Sequence, residues 1–192
     1  MGIALAEAAA EYGAEVELVL GPVNRLPKNK AIEIINVISA ETMATECITR
    51  FSNCDIAILA AAVADFTPEK VEDRKIKRTG DDIFLRLKPT KDIALTIGKM
   101  KKKSQILAGF ALETHNEIAN ATAKLKHKNL DIIVLNSVQE KGAGFGYDTN
   151  RITIIDRNNN IDKFELKSKE EAAWDILDKI VSMLKSKSLW DY

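Results

Sequence analysis

Three short apolar runs constrain this chain more than any other feature of it. Ile56 to Ala61, Ile106 to Phe110 and Ile132 to Leu135 are each unbroken by a polar residue. A strand that is apolar on both faces needs cover on both faces, which is the condition of a buried parallel sheet. Between the second and third runs lies Asn116 to Lys128, where Ile118, Ala121 and Leu125 recur at helical spacing. Strand, helix and strand in that order form the crossover unit of a doubly wound fold.

The remaining segments extend the pattern. Met1 to Tyr12 is alanine-rich and reads as a helix ended by Gly13. Val16 to Leu20 and Ile32 to Val37 read as strands, and Ser39 is placed to cap a helix running to about Phe51. Ile83-Phe84-Leu85-Arg86-Leu87 follows the turn signal Thr79-Gly80-Asp81 and is expected as an antiparallel or edge strand. Arg151 to Asp156 and Lys163 to Leu166 flank Asn158-Asn159-Asn160, a hairpin signal. Ser168-Lys169-Glu170-Glu171 matches a capping box, and the helix after it carries Ala173, Ile176, Leu177, Ile180, Val181 and Leu184 on one face. The expected fold is a single α/β domain over residues 1–192, Rossmann-like and doubly wound, with a mostly parallel sheet and an added antiparallel hairpin. Such a unit normally opens with a strand and a glycine-rich turn. Here the helix begins at residue 1, so that first strand is expected to be missing.

Composition narrows the function classes. The chain carries 28 basic and 28 acidic residues, which gives no support for a nucleic-acid or membrane-surface partner. No apolar run reaches the length of a bilayer span, and a cytoplasmic location is expected. Cys47 and Cys54 lie outside any C-x-x-C spacing and read as buried reduced thiols. His115 and His127 are the only histidines, a poor supply for histidine-based metal sites or triads, so no metal-ligand set is assigned.

In open α/β sheets ligands bind beyond the carboxyl ends of the strands. Four segments reach that edge: Gly21-Pro22-Val23, Ala61 to Asp65, Glu113-Thr114 and Asn136-Ser137. Small residues followed by one carboxylate suit close backbone approach to a flat ligand, with Asp65 accepting hydrogen bonds from it; Asp65 as the cap of a turn or helix is the alternative. Lys75-Ile76-Lys77 lies in a polar stretch from Pro68 to Asp82, readable as a lid that delivers charge to a phosphate or as an ordinary solvated edge. Lys124 and Lys128 are four apart on one helix face, where like charges cost about 0.2–0.5 kcal/mol; an anionic ligand or plain solvation would offset that. The lysines at 99, 101, 102 and 103 complement a helix C-terminus and are assigned no site role. No G-x-x-x-x-G-K-[ST] loop occurs, and Gly142 to Gly146 leads to a hairpin instead of opening a helix.

In order along the chain, Ala60-Ala61-Ala62-Val63-Ala64-Asp65-Phe66, Lys75-Ile76-Lys77, Leu85-x-Leu87 with Thr90-x-Asp92-Ile93, Gly109-Phe110-Ala111-x-Glu113-Thr114, Lys124-x-x-x-Lys128-x-x-Asp131 and Phe145-x-x-Asp148-x-Asn150 resemble the phosphopantothenate–cysteine ligase family. The resemblance covers most of the chain. It implies a two-step ligation in coenzyme A synthesis. A nucleoside triphosphate, CTP in the bacterial type, activates 4'-phosphopantothenate as an acyl-cytidylate and releases pyrophosphate. The amine of L-cysteine then displaces CMP, with Mg²⁺ bridging the phosphates. The resemblance further implies nucleotide contacts at Ala60, Ala61, Ala62, Asp65, Asp92, Ile93, Phe110, Lys124 and Lys128, and a catalytic flap lysine at Lys75. It implies a homodimer, and in many bacteria a fusion behind a flavin-dependent decarboxylase.

Two departures and one agreement stand out. Thr90-Lys91 replaces the usual Asn-Pro before Asp92-Ile93. Ala64 before Asp65 is similar to the bacterial, CTP-using type. An Arg and a catalytic Asn that the family carries ahead of the first helix have no counterpart from Met1 onward. Two other readings are a nicotinamide-dependent reductase, which needs a glycine-rich turn with an acidic residue about twenty positions on, and a regulatory subunit that binds nucleotide without catalysis.

Overall fold

The computed structural model describes residues 1–77, 80, 82–137 and 147–186. Most of the Thr79-Gly80-Asp81 turn and all of Gly142 to Gly146 lie outside those residues. The chain runs α1 (Gly2–Glu11), β1 (Glu17–Leu20), β2 (Glu33–Asn36), α2 (Ala40–Phe51), β3 (Ile56–Leu59), β4 (Phe66–Pro68), β5 (Leu87–Pro89), α3 (Ile93–Met100), β6 (Ile106–Glu113), α4 (Glu117–His127), β7 (Ile132–Ser137), β8 (Thr149–Asn150), β9 (Ile152–Asp156), β10 (Ile161–Lys163), β11 (Lys167–Ser168) and α5 (Lys169–Ser186).

The three apolar runs form adjacent strands of the main sheet, whose order is β10-β9-β7-β6-β3, with β6 and β7 inside it and β3 at its end. Within it β3, β6 and β7 are parallel, and β9 and β10 add the antiparallel hairpin. Asn159 takes a left-handed backbone in that hairpin, with φ of 62°, which asparagine tolerates because its side chain bonds locally. Strands β1 and β2 form a separate parallel pair, so among the described residues β3 has a neighbour on one side only.

Alternate residues of the central strands face opposite ways, and the two faces bury different helices. Ile106, Ala108, Ile132, Val134, Ile152 and Ile154 pack with α1 and α5. Leu107, Ile133, Leu135 and Ile155 pack with α2, α3 and α4. This is the doubly wound arrangement expected from the sequence.

Local chemistry sets the helix ends. The Ser39 hydroxyl accepts from the Thr42 amide at 3.1 Å, and the Thr42 hydroxyl accepts in return from the Ser39 amide. Ser168 and Glu171 form the second capping box, through bonds of 2.9 and 3.1 Å. At the end of α1, Gly13 adopts φ of 87°, so that its amide reaches the Ala10 carbonyl and the Ala14 amide reaches Ala9, both at 3.0 Å. Tyr12, just ahead of that turn, donates to Asp178 and lies 4.9 Å from the Trp174 ring, tying α1 to α5.

Two expected strands shift. The strand expected at Ile83 to Leu87 forms instead at β5, whose residues Leu87 to Pro89 pair antiparallel with β4, Pro68 opposite Leu87 and Phe66 opposite Pro89. Ile83, Phe84 and Leu85 are exposed, Phe84 by 93%; with no core beneath them, their apolar character does not decide the pairing. The second arm of the hairpin is Ile161 to Lys163, ahead of the expected Lys163 to Leu166, because Ile161 pairs with Ile155 directly across the Asn turn.

Candidate functional site

The candidate site is built at the carboxyl ends of β3 and β6. After β3 the chain leaves the sheet through Ala60, which is half-buried, and Ala61 and Ala62, which are exposed. Val63 turns back into the core, while Ala64 and Asp65 face solvent. This loop is fastened by Thr90: its hydroxyl donates to the Ala64 carbonyl at 2.6 Å and its amide donates to the Asp65 carbonyl at 2.9 Å. Threonine at this departure from the usual pattern therefore clamps the loop.

Two residues further on, Asp92 is the N-cap of α3, its Oδ1 accepting from the Leu95 amide at 2.9 Å. Its other oxygen lies 3.0 Å from the Lys128 amine. Burial opposes ionisation of Asp92, but the Leu95 N–H and the Lys128 charge outweigh it and hold the carboxyl below the usual aspartate range. Ile93 is buried among core residues of the α2–α3–α4 side, so its side chain belongs to the core.

Helix α4 supplies a polar stripe. Asn120, Lys124 and Lys128 follow at intervals of four and share one face. Helical side chains lean toward the helix N-terminus, and α4 begins at the end of β6 that carries Glu113. Lys124 Nζ lies 2.6 Å from Glu113 Oε1. The contact is an ion pair, and Oε1 has no other polar partner among the described residues. Asn120 Nδ2 approaches the other oxygen at 3.4 Å. Gly98 makes room for the foot of the stripe, since a Cβ there would lie 1.9 Å from the Lys128 carbonyl oxygen.

Of the residues singled out from sequence, the structure thus joins Asp65, Asp92, Ile93 and Lys128 through Thr90 and the α3 cap. Lys124 stands on the same helix face, paired to Glu113. Phe110 is half-buried on β6 and packs toward the α1–α5 side. Lys75 is exposed on the arm between β4 and β5, and no described contact joins it to the others. Thr90 and Glu113 were not singled out as site residues. The signal available for Glu113 was a carboxylate closing a buried strand just before a helix.

Among the described residues there is no cluster of three or more His, Cys, Asp or Glu able to hold a metal, and no helix long and apolar enough to cross a membrane. Burial pushes both cysteine thiols up from their ordinary range, which keeps them protonated and unreactive at neutral pH.

Comparison with known proteins adds a family. The model of the family described as "DNA/pantothenate metabolism flavoprotein C-terminal domain" matches residues 1–184. A protein named cysteine/cysteine sulfinic acid decarboxylase, from an unknown prokaryotic organism, is 61% identical over 96% of this chain and 51% of its own length. The coenzyme A biosynthesis bifunctional protein CoaBC of Bacillus subtilis (strain 168) is 44% identical over 96% of this chain and 45% of its own. The chain therefore spans about half the length of these relatives. The crystal structure of the C-terminal domain of a CoaBC protein superposes with a TM-score of 0.80 at 35% identity, covering 96% of this chain and 82% of that one.

Proposed function

We propose that this chain, which belongs to the DNA/pantothenate metabolism flavoprotein C-terminal domain family, carries the ligation of 4'-phosphopantothenate to L-cysteine, driven by CTP. The observation that supports this reading best is the joining of three segments at one sheet edge. Thr90 bonds to the Ala64 and Asp65 carbonyls two residues before Asp92, and Asp92 pairs with Lys128, which links the loop of small residues, a carboxylate and a lysine in one chain of contacts. The CoaBC relatives, named for coenzyme A biosynthesis, support the choice of substrates.

The reaction asks for two anionic substrates to be held together and for charge to be neutralised as it develops. A carboxylate oxygen of 4'-phosphopantothenate attacks the α-phosphorus of CTP, forming an acyl-cytidylate as pyrophosphate leaves. The cysteine amine then attacks the acyl carbon; the amide forms, the amine loses its proton and CMP leaves. In this reading Ala60, Ala61 and Ala62 let the nucleotide approach backbone, and Phe110 offers a ring edge. Asp65 accepts hydrogen bonds from the nucleotide, while Asp92 and Ile93 contact it at the start of α3. Lys124 and Lys128 neutralise phosphate charge, and Lys75 closes over the activated intermediate. In this reading Mg²⁺ enters with the triphosphate as part of the substrate, as a phosphate-bridging cation does.

A homodimer is part of this proposal, as is a flavin-dependent decarboxylase, fused or paired. The protein named as a decarboxylase is about twice as long as this chain, so its name speaks for a whole of which this chain matches half.

The test is incubation with 4'-phosphopantothenate, L-cysteine, CTP and Mg²⁺, with pyrophosphate and coupled product followed by mass spectrometry and ATP replacing CTP in parallel. Pyrophosphate and amide in equal amounts, with CTP preferred, are expected. A folded protein that neither binds CTP nor releases pyrophosphate overturns the reading.

A further inference from the structure

We infer that Glu113 is a positioning residue that sets the Lys124 amine for nucleotide binding. The inference rests on the proposed nucleotide site and adds to it a residue that does not touch the ligand.

The asymmetry of the pair carries it. Glu113 is the last residue of β6, and its side chain is only 11% exposed, whereas Lys124 is 47% exposed. A carboxylate desolvated to that degree is costly unless a cation or donors meet it. Glu113 has few such partners: Lys124 at 2.6 Å on one oxygen and Asn120 at 3.4 Å on the other. Asn120 is itself held, donating to the His115 carbonyl at 3.0 Å. A residue chosen only to end a buried strand would be apolar. An acid here fixes one end of a long, flexible side chain whose other atoms lie open to solvent.

A lysine on four rotatable bonds loses rotamer freedom when it binds an anion. Anchoring its amine from the protein side removes part of that loss before the ligand arrives. An ammonium carries three N–H donors, and Glu113 meets it with one oxygen while the lysine side chain is 47% exposed, so the amine keeps donors for a second oxygen. Lys124 can therefore meet a phosphate oxygen without leaving Glu113. Lys128 is held in parallel fashion by Asp92 one helical turn along, so the stripe presents two cations at fixed spacing.

The test is a double-mutant cycle on CTP affinity, read by calorimetry, with Glu113→Gln, Lys124→Met and the pair combined. Glutamine keeps the shape and loses the charge. We expect Glu113→Gln to weaken CTP binding about fivefold where Lys124 is present and to change nothing further in the Lys124→Met protein. Acetylation of Lys124 by a limiting amine reagent, read by peptide mass spectrometry, is expected to rise about threefold in Glu113→Gln while other lysines keep their rates. Should Glu113→Gln fail to fold, Asn120→Ala carries the same cycle with about a twofold weakening. Equal losses with and without Lys124, or an unchanged affinity, overturn the positioning role. A wild-type protein that binds no CTP overturns the nucleotide reading itself, and the inference with it.

Discussion

The two ends of the central sheet use the same pair of groups, a lysine and a carboxylate, to opposite effect. At the amino ends of β6 and β7, Asp131 and Lys101 are 2% and 5% exposed and meet at 2.5 Å. Asp131 also accepts from the Leu107 amide at 2.8 Å, and Arg157 closes in at 3.4 Å. Both oxygens of that carboxylate thus meet protein groups, and the pair is closed to solvent. At the carboxyl end of β6, Lys124 is 47% exposed over a Glu113 that is 11% exposed, and further along the same helix Lys128 and Asp92 are 28% and 42% exposed, so neither pair is sealed. A sealed pair can only hold the fold together. A pair open on its cation side can hold the fold and still meet an anion.

That contrast breaks first at the sealed end. Asp131→Ala leaves Lys101 buried without its carboxylate, and breaking such a pair costs about 3–5 kcal/mol. Urea unfolding is expected to show a loss of that size, and a loss under 1 kcal/mol would mean that Lys101 finds another partner. Next is the joint beneath the open end. Gly98→Ala drives a methyl group to within 1.9 Å of the Lys128 carbonyl oxygen, a backbone atom with little freedom to move. We expect about 2–3 kcal/mol of destabilisation by overpacking, together with weaker CTP binding as the foot of the α4 stripe shifts. A stable variant with unchanged affinity would show that α3 and α4 move apart without disturbing Lys128.

Acid probes the open end more gently. The Asp92 carboxyl is held below its ordinary range, so its ionised form stabilises the folded protein. That contribution is complete above the unfolded aspartate value of about 4 and is lost as pH falls through the lower folded value. Asp92→Asn keeps the helix cap and removes only the charge. The stability gap between wild type and this variant is therefore expected at pH 7 and should close below about pH 4. A gap independent of pH would assign the effect to shape and not to the ion pair.

Much of the fold was legible because burial on both faces leaves a mark in composition. Ile106 to Phe110 and Ile132 to Leu135 show it, while Ile56 to Leu59 is half-buried at the end of the sheet; the helix caps at Ser39 and Ser168 were legible because their partners lie three residues apart. The strand at Leu87 to Pro89 was displaced from the expected Ile83 to Leu87 because its partner, Phe66 to Pro68, is some twenty residues away and no core marks the register. The site divides the same way. Lys124 and Lys128 announce themselves by helical spacing, whereas Asp92 stood out only through the family motif and its place as the α3 N-cap came from the structure. The Thr90 clamp on Ala64 joins residues 26 apart in sequence, and the Glu113–Lys124 contact depends on how α4 leaves β6. Neither follows from spacing alone.

The most direct test of the nucleotide site is calorimetric titration of CTP with Mg²⁺ into the wild-type protein and into Lys124→Met/Lys128→Met, with melting temperatures measured alongside. The open pairs predict binding by the wild type, a loss of about a hundredfold in the double variant at two charge-assisted contacts, and melting temperatures within a few degrees of each other. Equal affinity in the two proteins, at matched stability, would contradict the assignment of this sheet edge to the nucleotide.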